Sequence, residues 1–239
     1  MKRVAILLSG FIKSYAHLEN IKTFFSNTPD YEFYLFGYVF DYIIPPSINK
    51  EKIVYSKQVP LNKNIEAMFS AINYVDNDAY KQYDEHGFDN RIISQWKNLQ
   101  HCYELSTQFA IENNIIFDCI VRCRPDLSIH KPSFDEYLKE SLCKKMCIFV
   151  HFNAFINDQF FFGPPEKIDN VLYLAKKYYD YLNLPLFIRK TKTHIRTIPF
   201  NKFLHFAAES EILLSHHIGQ TLPKTDYLIK PIYWKILRN

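Results

Sequence analysis

The sequence predicts an α/β fold: a sandwich around a mostly parallel sheet, with antiparallel strands accommodated at one side. Three observations carry this. Apolar, strand-like runs alternate with helical segments through the first half of the chain. Residues 117–123 form a continuous apolar run broken only by Asp118 and Arg122, which suits a central strand covered on both faces. Ile92, Trp96, Leu99 and Tyr103 recur at steps of four, three and four, a single apolar stripe on a helix over 92–113.

The elements follow in order. Residues 3–9 read as a buried strand closing at Ser9-Gly10, followed by a helix over 14–25 and a strand over 31–39. Pro45-Pro46 opens a loop before a short strand at 52–55. A helix is expected over 62–72. Residues 73–90, polar and carrying five acidic side chains, read as a surface excursion. Asn113-Asn114 ends the long helix ahead of the 117–123 strand. A short helix over 133–141 has Ser133 as cap and Glu136 three residues on. Strands are expected at 146–152 and 159–162, then a helix over 166–182 after Pro164-Pro165. Residues 186–203 are basic and irregular, 206–218 helical, and 227–232 a late strand. No repeat or linker divides the chain, so residues 1–239 are expected to form one domain.

A chain of 239 residues buries roughly 70% of its unfolded surface and needs no covalent staples. Aromatics make up 17%, with 21 Phe and 17 Tyr against 5 Gly. Most of these rings belong in the core, although rings also stack on sugars and bases. The five cysteines are odd in number and form no CxxC pair. They read as buried thiols in a reducing, cytoplasmic setting. A net charge of +4 is too small a basic excess for a nucleic-acid binder. The opening VAILLSGFI is short, has no small-residue cleavage site and meets Lys13 at once, so it reads as a strand rather than a signal peptide. No stretch reaches the ~18 apolar residues of a membrane span.

Sheets of this kind bind ligands at the carboxyl ends of their strands, so polar residues there are the candidates. Ser9-Gly10 lets backbone N–H groups approach a phosphate, with Lys13 in reach, or is an ordinary turn. Neither GxGxxG nor GxxxxGK[ST] occurs, which disfavours dehydrogenases and P-loop enzymes. Arg122 and Arg124 share one side of a strand by alternation, Pro125 ends it, and Asp126 emerges at its carboxyl end. Two guanidiniums and a carboxylate suit a diphosphate and a divalent metal. The alternative is an ion pair stitching the strand to a helix. Asp158, ahead of an aromatic strand, is a candidate general base for an acceptor hydroxyl, or a turn residue bonding its own backbone. Glu211 lies on a helix with His216 and His217. It is a candidate acceptor-binding residue and the second candidate base, and the sequence there is not HExxH. The basic stretch from Arg189 to Lys202 is a lid over a diphosphate, a contact for an anionic acceptor or membrane surface, or simply solvated. The C-terminal YLIKPIYWKILRN packs on the core, a partner subunit or a membrane surface.

Taken in order, RVAILLSGFIKS, SQWKNLQHCYEL, FDCIVRCRPDL, NDQFFFG and SEILLSHHI resemble a family of small GT-A-type glycosyltransferases of polysaccharide-building loci and some large viruses. The resemblance implies a GT-A-like three-layer α/β/α sandwich that binds a nucleoside diphosphate sugar and transfers its sugar to a glycan acceptor. It places Asp126 where such enzymes keep the metal-binding Asp of a DxD motif, with Mn²⁺ or Mg²⁺ as cofactor. Ser9, Gly10, Lys13, Arg122 and Arg124 would then face the diphosphate. Here Arg124-Pro125 replaces the first part of that motif, and Lys13 stands where Arg is more usual. Two other readings stay open: a sugar-phosphate nucleotidyltransferase, and a glycan- or nucleotide-binding module without turnover.

Overall fold

The computed structural model describes residues 1–43, 59–76, 90–129, 134–135, 145–150, 157–177, 210–231 and 234–236. Strand β1 (Lys2–Gly10) leads to α1 (Tyr15–Ser26), β2 (Tyr31–Val39) and the two-residue strands β3 (Tyr42–Ile43) and β4 (Val59–Pro60), which pair with each other. One turn of helix, α2 (Lys63–Glu66), precedes β5 (Ala71–Tyr74). Then come α3 (Asn90–Glu112), β6 (Cys119–Cys123), β7 (Leu127–Ile129), β8 (Met146–Val150) and β9 (Phe160–Gly163). Helices α4 (Pro165–Leu172) and α5 (Ser210–Thr221) precede β10 (Tyr227–Pro231) and β11 (Trp234–Ile236).

Seven strands form one sheet in the order β10-β8-β9-β6-β1-β2-β5. Only β9 runs against the rest. The sheet is therefore mixed and mostly parallel. Alternation along β1 sends Ala5 and Leu7 to one face and Val4, Ile6 and Leu8 to the other. The first face is covered by α3, α4 and α5 through Trp96, Leu99, Ile168, Leu213 and Leu214. The second is covered by α1 and α2 through Leu18, Ile21, Phe25 and Ile65. Full burial on both faces explains why β1 and β6 read as nearly continuous apolar runs.

Two expectations are corrected. The helix expected over 62–72 stops after Glu66, and the excursion expected over 73–90 begins with two residues of a strand. Ile65, Met68, Phe69 and Ile72 have helical spacing, but Phe69 and Ile72 press onto β2 at Gly37. A Cβ there would stand 2.8 Å from Phe69 and 3.1 Å from Ile72. That close approach lets β5 join the sheet beside β2. The strand expected at 52–55, most of the helix expected over 133–141 and the basic stretch 186–203 lie outside the described residues. At the carboxyl terminus, β11 pairs antiparallel with β7, so part of YLIKPIYWKILRN joins strand structure next to Asp126.

Most described rings serve the core. Phe24, Phe25, Phe134 and Phe162 meet edge to face beneath the sheet. Cys102, Cys119, Cys123 and Cys147 are free and buried. No described helix is long and apolar enough to cross a membrane.

Candidate functional site

From β1 the chain builds outward to β2 and β5, then returns to lay β6 on the other side of β1. The carboxyl ends of β1 and β6 therefore flank a topological switch point, where open α/β sheets bind ligands. Gly10 ends β1 with φ +109°, a conformation costly for a residue with a Cβ. Ser9, Gly10, Lys13, Arg122, Arg124 and Asp126 all lie at or just beyond these two strand ends.

Arg122 is 1% exposed, among the largest buried side chains. It lies on the α3 face, level with Leu7 of β1 and Phe161 of β9. Its Nη1 donates to Ser9 Oγ at 2.9 Å and to the Cys123 carbonyl at 3.4 Å. Its Nε is buried with no hydrogen-bond partner among the described residues. Burial pulls its pKa down to about 10; Arg124 adds to the pull and Asp158 opposes it. The guanidinium stays charged at neutral pH.

Arg124 lies one residue beyond β6 and pairs with Asp126. Its Nε donates to Asp126 Oδ1 and its Nη2 to Oδ2, both at 2.9 Å, a planar fork on a carboxylate. Lys13 Nζ stands 3.2 Å from Oδ2. Burial pushes the Asp126 pKa up, but Arg124 and Lys13 outweigh it and hold the carboxyl below its ordinary value. The turn is fixed at both ends. Arg124 N donates to the Gln159 carbonyl, Leu127 N to the Arg124 carbonyl, and Ile129 N to Asn20 Oδ1 of α1.

Asp158 is 4% exposed. The turn bond expected of it belongs to its neighbour, since Asn157 Oδ1 accepts from Gln159 N at 2.8 Å. Asp158 Oδ2 instead accepts from Gln95 Nε2 of α3 at 2.6 Å. Asp158 is close enough to Arg122 to favour its charge.

Sequence reasoning missed three features here. Gln95 lies beside Trp96 of the apolar stripe, and nothing local links it to a residue 63 positions away. Ser14 caps α1: its Oγ accepts from His17 N and lies 2.5 Å from His17 Nδ1. Burial lowers the His17 pKa, opposed by Asp126 and reinforced by Lys13, which places the ring beside that ion pair. Phe11, directly after Gly10, stacks on Phe40 at the end of β2, with centroids 3.8 Å apart and planes within 9°. Tyr42 leans on both, and Phe11 is 42% exposed. The aromatic surplus pointed to such a platform without placing it.

No protein-family model matches the chain, and no curated protein matches it.

Asp118 sits at the amino end of β6, where Oδ1 accepts from Lys2 Nζ and Oδ2 from Arg3 N, both at 2.9 Å. Helix α5, which carries Glu211, is packed on α4: Leu213 and Leu214 are buried and His217 Nε2 bonds the Asn170 carbonyl. The side chains of Glu211 and His216 lie outside the described residues. A divalent metal on Asp126 does not suit this arrangement. Each carboxylate oxygen faces a cationic donor, and no group of three His, Cys, Asp or Glu residues that could hold a metal occurs among the described residues.

Proposed function

We propose that this protein is a glycosyltransferase that moves a sugar from a nucleoside diphosphate sugar to a hydroxyl of a glycan acceptor. One observation carries the reading. Three cations, Lys13, Arg122 and Arg124, gather at the switch point against two carboxylates, Asp126 and Asp158, and the most buried cation has an Nε with no hydrogen-bond partner among the described residues. The net excess of one positive charge favours an anionic ligand. Phe11, directly after Gly10 and exposed, stacks on the half-buried Phe40 and offers a face to a nucleoside base or sugar ring.

In the proposed reaction the bond from the sugar's anomeric carbon to the diphosphate breaks, and its electron pair leaves on a diphosphate oxygen. Arg124 and Lys13 hydrogen-bond that oxygen and its neighbours, and Arg122 supplies charge from behind Ser9. The acceptor oxygen forms the new bond to the anomeric carbon, and its proton passes to Asp158. Gln95 holds one oxygen of Asp158 and so aims the other. Glu211 remains a second candidate for acceptor binding.

Release of nucleoside diphosphate from a panel of nucleotide sugars, with and without glycan acceptors, tests the reading. One donor should be consumed by the native protein and by neither Arg122→Ala nor Arg124→Ala. Pyrophosphate release from a nucleoside triphosphate and a sugar phosphate would replace it with a nucleotidyltransferase. Binding without turnover of any donor would leave a binding module.

A further inference from the structure

We infer that the diphosphate is held by side-chain cations without a divalent metal, and that Asp126 serves as the counter-ion positioning Lys13 and Arg124. This rests on the reading of the switch point as a diphosphate site.

The geometry of Asp126 carries the inference. Oδ1 accepts from Arg124 Nε and Oδ2 from Arg124 Nη2, both at 2.9 Å, and Lys13 Nζ stands 3.2 Å from Oδ2. A Mg²⁺ ligated by this carboxylate sits about 2.1 Å from an oxygen. It would share those oxygens with two positive side chains at hydrogen-bond distance. The carboxylate is buried in a turn pinned by Gln159, Asn20 and the Arg124–Leu127 backbone bond, so it has little freedom to present another edge. Among the described residues the neighbouring candidate ligands are already engaged. Asp158 bonds Gln95 and faces Arg122, and His17 is held by Ser14. Among the described residues no three metal-ligating side chains come together.

A metal at a diphosphate offsets negative charge, and Lys13, Arg122 and Arg124 bring positive charge to the same place. Asp126 keeps Lys13 and Arg124 aligned in the absence of ligand. When a diphosphate arrives, Lys13 turns from Oδ2 to a phosphate oxygen, and Arg124 adds its positive charge beside it. In the transfer step the departing electron pair on the diphosphate is met by these N–H donors.

Isothermal titration of the full chain with UDP, GDP, CDP and dTDP, in EDTA and then in Mn²⁺ or Mg²⁺, tests this. One nucleotide should bind in EDTA with a Kd within about threefold of its value with metal. Lys13→Met and Arg124→Met should each weaken that binding about tenfold or more. Asp126→Asn should weaken it yet leave it insensitive to EDTA. Binding seen only with Mn²⁺ or Mg²⁺, and abolished in Asp126→Asn, would overturn the inference and keep the diphosphate site. No binding of any nucleotide in either condition would overturn both.

Discussion

β6 has an aspartate near each end, and the two sit in opposite kinds of surroundings. At the amino end Asp118 is part-exposed and meets Lys2 Nζ and Arg3 N, a local closure between β6 and β1 with each partner satisfied. At the carboxyl end Asp126 is buried under two cations, a third lies beyond, and Arg122 Nε and His17 Nε2 have no hydrogen-bond partner among the described residues. Buried polar atoms are paired in the great majority of cases, and the exceptions call for a reason such as a ligand site. One end of the strand is stitched, and the other is held ready. The same sheet register places both, so the difference lies in which side chains the flanking turns carry.

The sharpest way to break this comparison is to remove a cation from each end. Arg124→Ala should reduce nucleotide-sugar turnover by about 100-fold or more, since one lost donor to a developing oxyanion costs about 3 kcal/mol. Arg122→Ala should do the same. Lys2→Ala should leave turnover unchanged. A steady-state assay on the three variants checks this, and equal losses at both ends would erase the distinction.

Stability separates the ends next. Removing one member of a buried pair strands its partners, which costs about 3–5 kcal/mol. Arg124 and Lys13 reach solvent in part, so Asp126→Ala should cost about 3 kcal/mol, the low end of that range. Asp118→Ala should cost about 1 kcal/mol or less, as exposed pairs do. Urea unfolding of both variants gives the comparison directly.

Acid should act on the carboxyl end in two steps. His17 has a folded pKa below its ordinary 6.5, so the unfolded chain binds the proton more readily. Its contribution is present above pH 6.5 and is lost as pH falls toward the folded value. Asp126, also depressed, contributes above its ordinary 3.8 and loses that contribution as pH falls through its folded value. Asp118 shares only the second, lower window: burial raises its pKa, but Arg3 N–H and Lys2 bring it down overall. His17→Gln should therefore flatten the melting temperature in the range just below pH 6.5 and leave the lower limb in place.

Much of this arrangement was legible in the sequence because it is local. The apolar run of β6, the proline that follows it and the charged residues around that end put Arg122, Arg124 and Asp126 together without any fold information. Lys13 followed from its place after β1. What stayed hidden depends on long-range packing. The reversal of β9 leaves no mark on Phe160-Phe161-Phe162-Gly163, since all four are buried whichever way the strand runs. β5 was concealed by helical spacing that only the space above Gly37 overrides. Alternation suggested that Arg122 and Arg124 act side by side. The strand ends at Cys123, so the chain turns and Arg124 serves Asp126 instead. Asp158 was legible as a candidate, but its partner Gln95 comes from a helix whose apolar stripe says only that it packs.

The central claim is that the anion belongs at the carboxyl ends of β1 and β6. A crystal structure of the protein soaked with the nucleoside diphosphate that it binds tests this most directly. The account predicts both phosphates within hydrogen-bond distance of Lys13 and Arg124, Arg122 behind them, and the base near Phe11. Phosphates seated elsewhere, with the Arg124–Asp126 fork and the Lys13 contact undisturbed, would contradict it.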